Sequence, residues 1–434
     1  MGALGLAACA ALWSTGPAPR EGPWASAFLR GYSLAWLCYV AASVVTGRLA
    51  RPPRWLLVWI VAAALAMRVV CLARGPALST DVWRYLWDGR VANGGINPYL
   101  YSPEAYELRG LRDGNWGLIN FRHIPTIYPP TAQVLFAILA RVRSSDAEAF
   151  RWAFALSDLG CVLLLIPLLR RTGRRAERAI WYAWCPLAVT ECSAGAHADS
   201  FGVLLLLLAF LLAARSGERP AGGSGLALAA AVLAKGYALL AVPFFARRGG
   251  KTVVLGFVLA AIALLAPFAG AGAGMFGGLR SYLAAWKMNS SFFLVLDLQL
   301  AKLTPDHSAI TRALSMGAVL LVVVGLVWRQ RPGLEGMLAA SFWAFGAQLA
   351  LGAPTLPWYV LWLLPALCWW ALPGLVLFTL TVSAQYYARW LHPGDEAARL
   401  ALLWAGYVPV YALLGAQLIW RLTCGSRSAP SHSL

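Results

Sequence analysis

Long apolar runs alternate with short hydrophilic breaks along the whole chain. Runs at 199–214, 252–272, 309–328 and 398–421 are each close to the roughly 20 residues that carry a helix across a bilayer. Stretches near 26–46, 55–73, 152–170, 180–192, 334–353, 357–372 and 374–388 have the same character. Inside hydrocarbon each backbone polar group must be satisfied within its own segment, so these runs read as helices. The expected fold is all-α, a polytopic transmembrane helix bundle of about eleven to thirteen spans. It forms a single integral membrane domain over residues 1–434.

The hydrophilic breaks fix the orientation, because cytoplasmic loops are enriched in Lys and Arg. Three clusters decide it: Arg48, Arg51 and Arg54; Arg170, Arg171, Arg174, Arg175 and Arg178; and Arg247, Arg248 and Lys251. With all three inside, span 55–73 exits the cell, and 74–130 becomes a large extracytoplasmic loop carrying short interfacial helices. The apolar piece 131–141 is too short to cross as a helix. Segment 222–246, bracketed by Arg215/Arg219 and Arg247/Arg248, reads as a re-entrant pair of half-helices with Lys235 near its turn. A single tilted span competes with that reading. Arg329 and Arg331 fall inside, as does a polar, Ser-rich tail at 422–434. The outer face then gathers 74–130, 191–199 and 273–308.

Composition narrows the class. Of 434 residues, 60% are hydrophobic and 12% charged, against about 25% charged in soluble domains, which excludes an ordinary water-soluble enzyme. The net charge of +18 lies in short loops and makes no groove-facing stripe, so it reports topology and not nucleic-acid binding. Eight cysteines fall mostly inside apolar runs without a C-x-x-C pair, which argues against a disulfide framework or a zinc site. The start MGALGLAACAALW has no basic residue before its apolar run, so a cleaved signal peptide is not expected.

Candidate chemistry concentrates at the outer face. Ser79 or Thr80 can cap a helix that Gly89 can end. On it Asp81, Arg84, Tyr85 and Asp88 share one face at i, i+3, i+4 and i+7. Asn97-Pro98-Tyr99 and Tyr128-Pro129-Pro130 stiffen the remainder of the loop. Glu191, His197 and Asp199 stand at the junction of two spans. Pairing of Asp199 with His197 at a helix end is one reading, and one imidazole with two carboxylates lacks a specific metal-ligand spacing. Lys235 is the lone charge between Ala221 and Phe244, and a lysine in that setting must find an anion, lose its proton or snorkel. Arg280 and Lys287 add positive charge in the third loop, and Pro357-Trp358-Tyr359 opens a span at the interface.

Taken together, Asp-x-x-Arg-Tyr-x-Trp-Asp-Gly-Arg, Gly95-Ile96-Asn97-Pro98-Tyr99, Tyr128-Pro129-Pro130, Glu191 with His197-x-Asp199, Lys235 and Pro357-Trp358-Tyr359 resemble the GT-C superfamily of membrane glycosyltransferases. The resemblance is to the bacterial polyprenol-phosphate-mannose-dependent mannosyltransferase-like group, and it runs over roughly residues 79–360. It implies transfer of a hexose such as mannose from a polyprenyl-phosphate sugar to a lipid or glycan acceptor, with inversion, at the outer face of a bacterial inner membrane. Asp81 matches the position of the catalytic base, although the usual pair of neighbouring acids is reduced here to one. Arg84, Arg90, Lys235, Arg280 and His197 are the candidates for the donor phosphate. Tyr85, Asp88, Asn97, Tyr99, Tyr128, Glu191, Asp199, Trp358 and Tyr359 are those for the remainder of the substrates. No metal or other cofactor is called for. A secondary transporter would show inverted repeats and midplane polar groups with small loops. A polymerase or ligase of lipid-linked glycans, or a non-enzymatic membrane scaffold, would share the apolar pattern.

Overall fold

The computed structural model describes the chain except for residues 16–23, 75–77, 216–221, 387–393 and 425–434. Arg219 and most of the Ser-rich tail therefore lie outside the described residues. The described residues are mainly helical and contain no strand. Among them, seven helical stretches are long and apolar enough to cross a membrane: Ser26–Arg48, Trp55–Ala73, Glu148–Arg171, Gly236–Ala285, His307–Arg329, Gly333–Leu351 and Glu396–Trp420. Gly2–Ser14, Pro130–Val142 and Gly222–Ala234 are shorter apolar helices.

Other apolar runs form shorter helical pieces, because prolines divide them. The run at 180–192 breaks into Ile180–Ala183, Pro186–Val189 and a π-helical turn at Thr190–Ala194. The run at 357–372 becomes two 3-10 helices, Pro357–Trp362 and Leu364–Cys368. Pro373 starts the nine-residue helix Pro373–Thr381. A proline is welcome in a first helical turn and ends the helix that precedes it, so apolar runs of spanning length are cut into short pieces.

Loops distant in sequence meet at each end of the bundle. At one end the Arg175 guanidinium donates to the Leu49 and Thr46 carbonyls at 2.6 and 3.2 Å. Arg178 donates to the Cys368 and Trp369 carbonyls, Arg174 pairs with Glu335 at 2.7 Å, and Arg247 donates to the Val327 carbonyl. The basic clusters thus share one side and close the helix ends there. At the other end the loops 94–129 and 266–291 interlock. Asn97 donates to the Phe268 carbonyl, the Phe121 ring meets Trp286 at 4.5 Å, and Gly278 packs on the Pro125 and Thr126 carbonyls.

Helix Asp81–Asn93 lies in this second end and packs on Pro130–Val142. Ser79 accepts from the Asp81 amide. The helix does not stop at Gly89, as its sequence suggests, but continues to Asn93. Gly89 is instead the contact point between the two helices, since a Cβ there would collide with the Phe136 carbonyl. Segment 222–249 folds as a hairpin: Gly222–Ala234 leads to its turn and 236–249 leads back. Gly250, with a φ of 58°, then breaks Val242–Leu265 and starts a further helical stretch, which packs so closely on Gly222–Ala234 that a Cβ at Gly225 or Gly256 would strike the partner backbone. Lys235, in extended backbone, stands at its turn.

A buried clamp joins helices Trp55–Ala73 and Glu148–Arg171. Arg68 pairs with Asp158 at 2.6 Å and donates to the Ala64 and Ala183 carbonyls, while the Tyr182 hydroxyl donates to Asp158 at 2.6 Å. Both charged side chains are essentially inaccessible.

Membrane orientation has a direct test. Single cysteines at Gly110 or Gly114, both in open space, are expected to react with an impermeant thiol reagent on intact cells, in a background without the eight native cysteines. A cysteine at Arg171 should react only after permeabilisation. The opposite pattern overturns the orientation read from the arginines.

Candidate active site

A cavity of ≈ 450 Å³ opens where the interlocking loops meet. Asp81, Arg84, Asn120, Tyr128, Lys235, Trp358 and Tyr359 line it, with Tyr282, Trp286 and Tyr386 completing the walls. Asp81 stands in the first turn of its helix with its carboxylate one-fifth exposed. Asn120 donates to Asp81 Oδ1 at 2.6 Å, which leaves Oδ2 turned towards His197 Nε2, 4.0 Å away.

Behind Asp81 lies a fully buried polar chain. His197 Nδ1 is 3.0 Å from the Glu191 carboxylate, which accepts from the Tyr386 hydroxyl at 2.9 Å. The His197 ring lies flat on Trp358, with centroids 3.9 Å apart and an interplanar angle of 15°. The local backbone makes this possible. The π-helical turn at Thr190–Ala194 carries Glu191, and Ala196 adopts a positive φ of 51° just before the histidine. Single π turns and left-handed non-glycine residues concentrate at functional sites, where the surrounding structure holds the strain. Phe121, also left-handed at 46°, lines the cavity.

Asp199 does not pair with His197. It is fully buried, with Oδ2 3.0 Å from Lys235 Nζ and Oδ1 accepting from the Trp362 indole at 2.9 Å. Lys235 thus has its anion, and its ammonium faces the Tyr128 and Tyr359 rings at 5.5 and 5.6 Å, a cation–π setting in a low-dielectric wall. The Tyr359 hydroxyl is hydrogen-bonded to that of Tyr282, so the hairpin turn, the 266–291 segment and the Pro357 turn meet on one side of the cavity.

The remaining sequence candidates stand around the cavity or outside it. Arg84 touches the cavity, but its guanidinium is tied to Asp88 at 2.9 Å and to the Ile124 carbonyl at 3.0 Å. Asp88 is buried and also accepts from Thr126 and Gln133; it is therefore not the partly exposed partner that a simple i, i+4 pair suggests. Tyr85 is buried in a stack with Phe136 at 4.7 Å. Tyr99 donates to the Tyr128 carbonyl, and Asn97 accepts from the Tyr99 amide. Arg90 lies away from the cavity. It braces the loop through Asp113 at 2.6 Å and the Ser144 carbonyl, and its hydrogen bond holds the Asp113 carboxyl below the ordinary carboxylate range. Arg280 is exposed and does not line the cavity. Asn120, Trp362 and Tyr386 belong to no motif, and nothing in the sequence pattern marks them as members of the site.

The structure accordingly presents one accessible carboxylate, one paired ammonium and a wall of aromatic rings in a cavity closed by loops. That is equipment for binding a sugar and moving a proton. Searching curated proteins returns no match. The family model MptA_B_family, described as "Alpha-(1->6)-mannopyranosyltransferase, N-terminal domain", matches residues 10–248, more than half of the chain. The match contains Asp81, Glu191, His197, Asp199 and Lys235, while Trp358, Tyr359 and Tyr386 lie beyond it. The chain therefore belongs to the MptA_B mannosyltransferase family and is a glycosyltransferase integral to a membrane.

Proposed function

We propose that the protein transfers mannose from a polyprenyl-phosphate mannose to a hydroxyl of a lipid or glycan acceptor, at the extracytoplasmic face of a bacterial inner membrane. The observation that carries this reading is the placing of Asp81 and Lys235 on one aromatic-walled cavity. The acceptor hydroxyl attacks the anomeric carbon in line, the bond from that carbon to the phosphate oxygen breaks, and configuration inverts. Asp81 takes the hydroxyl proton, and the polyprenyl phosphate leaves with the bonding electron pair. Negative charge then grows on the phosphate, where Lys235 supplies the counter-charge in a site largely shielded from water. Asn120 aims the carboxylate. Tyr128, Trp358 and Tyr359 offer flat faces for the apolar side of a pyranose.

The arginine clusters gathered at the opposite end of the bundle support the outward orientation. The test is transfer by the purified protein in proteoliposomes, with labelled polyprenyl-phosphate mannose compared against GDP-mannose over a set of mannoside acceptors. Transfer from the lipid donor alone is expected. Transfer from the nucleotide sugar alone, or release of mannose without an acceptor, overturns the reading.

A further inference from the structure

A larger cavity lies away from the Asp81 site. Helix His307–Arg329 packs on Gly333–Leu351, and Pro373–Thr381 packs on Glu396–Cys424. Between the two pairs runs an apolar groove of ≈ 750 Å³. Arg329 and Glu335 mark its end among the arginine clusters, and Ala350, Tyr407 and Tyr411 mark the other. From Glu335 to Ala350 the floor helix advances about 22 Å at about 1.5 Å per residue. One leaflet offers only about half of the roughly 30 Å of hydrocarbon, so the groove is longer than the acyl chains of one leaflet fill.

The groove also leads somewhere. It shares Phe378 and Tyr407 with a second cavity of ≈ 400 Å³, which contains Asn289, Thr381 and Gln385. The Gln385 amide and the Thr381 hydroxyl are buried there without a hydrogen-bond partner among the described residues. That vestibule in turn shares Met288, Leu356, Trp358 and Tyr386 with the Asp81 cavity. Three spaces therefore abut in series: a long apolar groove, a small polar chamber and the chamber with the carboxylate.

We infer that the groove holds the isoprenoid chain of the lipid donor, with its head passing through the vestibule so that the phosphate reaches Lys235. The inference rests on the proposed transfer from a lipid-linked sugar and adds where that lipid lies. The order of the spaces is the order of the molecule, hydrocarbon first and sugar last. A polyprenyl chain matches the length, since it is a single chain able to extend through both leaflets. Arg329 and Arg331 fix the side on which its tail ends and bind no head group.

Gly346 offers a clean way to block the groove. It lines the groove, and the nearest atom to a Cβ placed on it is Leu363 Cδ2 at 3.9 Å, so Gly346→Phe extends into the space without a collision at its root. The experiment compares kcat/KM for a full-length polyprenyl donor and for a short-chain donor that reaches across one leaflet at most. The wild-type protein is expected to prefer the full-length donor. In Gly346→Phe this preference should fall about tenfold or more, through KM for the long donor. Gly317→Phe, in open space on the neighbouring helix and off the groove, serves as the control and should keep the preference. A preference unchanged in Gly346→Phe overturns the groove, as does an equal loss with both donors.

A second readout does not need transfer. A photoreactive, sugar-free polyprenyl phosphate should cross-link within 339–350 of the wild-type protein and much less in Gly346→Phe. Cross-linking that a two-chain phospholipid competes away equally well assigns the groove to ordinary membrane lipid and sinks the inference. Failure of the wild-type protein to use either donor, with its cross-linking intact, sinks the proposed transfer and leaves the groove standing.

Discussion

Asp81→Asn is expected to lower turnover at least about a hundredfold while KM for the lipid donor changes little. The amide keeps the size of the side chain and a partner for Asn120, but it cannot take the acceptor proton. Asp81 is partly exposed and, among the described residues, has Asn120 as its side-chain hydrogen-bond partner, so thermal stability in detergent should stay near that of the wild type. Asp88 supplies the contrast. It is buried with three side-chain donors around it, and an amide there cannot balance the Arg84 charge. Breaking a buried pair of this kind costs about 3–5 kcal/mol. Asp88→Asn should therefore be recovered in low yield with an early melting transition, and its activity loss should follow its folding loss. A fully active Asp81→Asn protein of normal stability removes Asp81 from the chemistry.

The second large effect is expected at Lys235, and there a single substitution misleads. Lys235→Met leaves the Asp199 carboxylate buried with the Trp362 indole as its donor and no counter-charge, a penalty again of about 3–5 kcal/mol. The informative protein is Lys235→Met with Asp199→Asn, in which neither charge is left alone. It should recover much of the stability lost by the single variant. Its kcat/KM for the lipid donor should remain about a hundredfold or more below wild type, because the departing phosphate has lost its counter-charge. Recovery of transfer along with stability would reduce Lys235 to the neutralising partner of Asp199.

Part of this arrangement is legible from the residues and part is not, for physical reasons. Apolar runs of spanning length announce a helical membrane bundle whatever their packing. Asp81 stands out because charges cluster at helical spacing around it, and Lys235 because a cation alone among apolar residues is costly. The pairing of Glu191 with His197 depends on a π turn and a left-handed alanine, neither of which has a residue signature. Asn120 reaches Asp81 over 39 positions and Tyr386 reaches Glu191 over 195, and periodicity carries no information at such separations. Gly89 misleads because glycine marks both helix ends and close helix contacts, and only the carbonyl of Phe136 tells them apart. Hydrophobicity does not reveal where a proline divides an apolar run, so short pieces such as Pro186–Val189 and Pro357–Trp362 are not legible as separate elements.

The clamp of Arg68 with Asp158 bears on how the chain is made. The two residues stand 90 positions apart, so the helix that carries Arg68 leaves the ribosome well before its partner exists. An unpaired arginine inside an inserted helix costs up to about 2.5–3.5 kcal/mol on translocon scales, and an aspartate costs a similar amount. Neither segment is at home in lipid until the other arrives and Tyr182 closes over them. Early segments of the nascent protein must then wait, at the insertion machinery or in a provisional position, for the later ones. Stable seating of the Arg68 helix is thereby tied to synthesis of the chain as far as Tyr182.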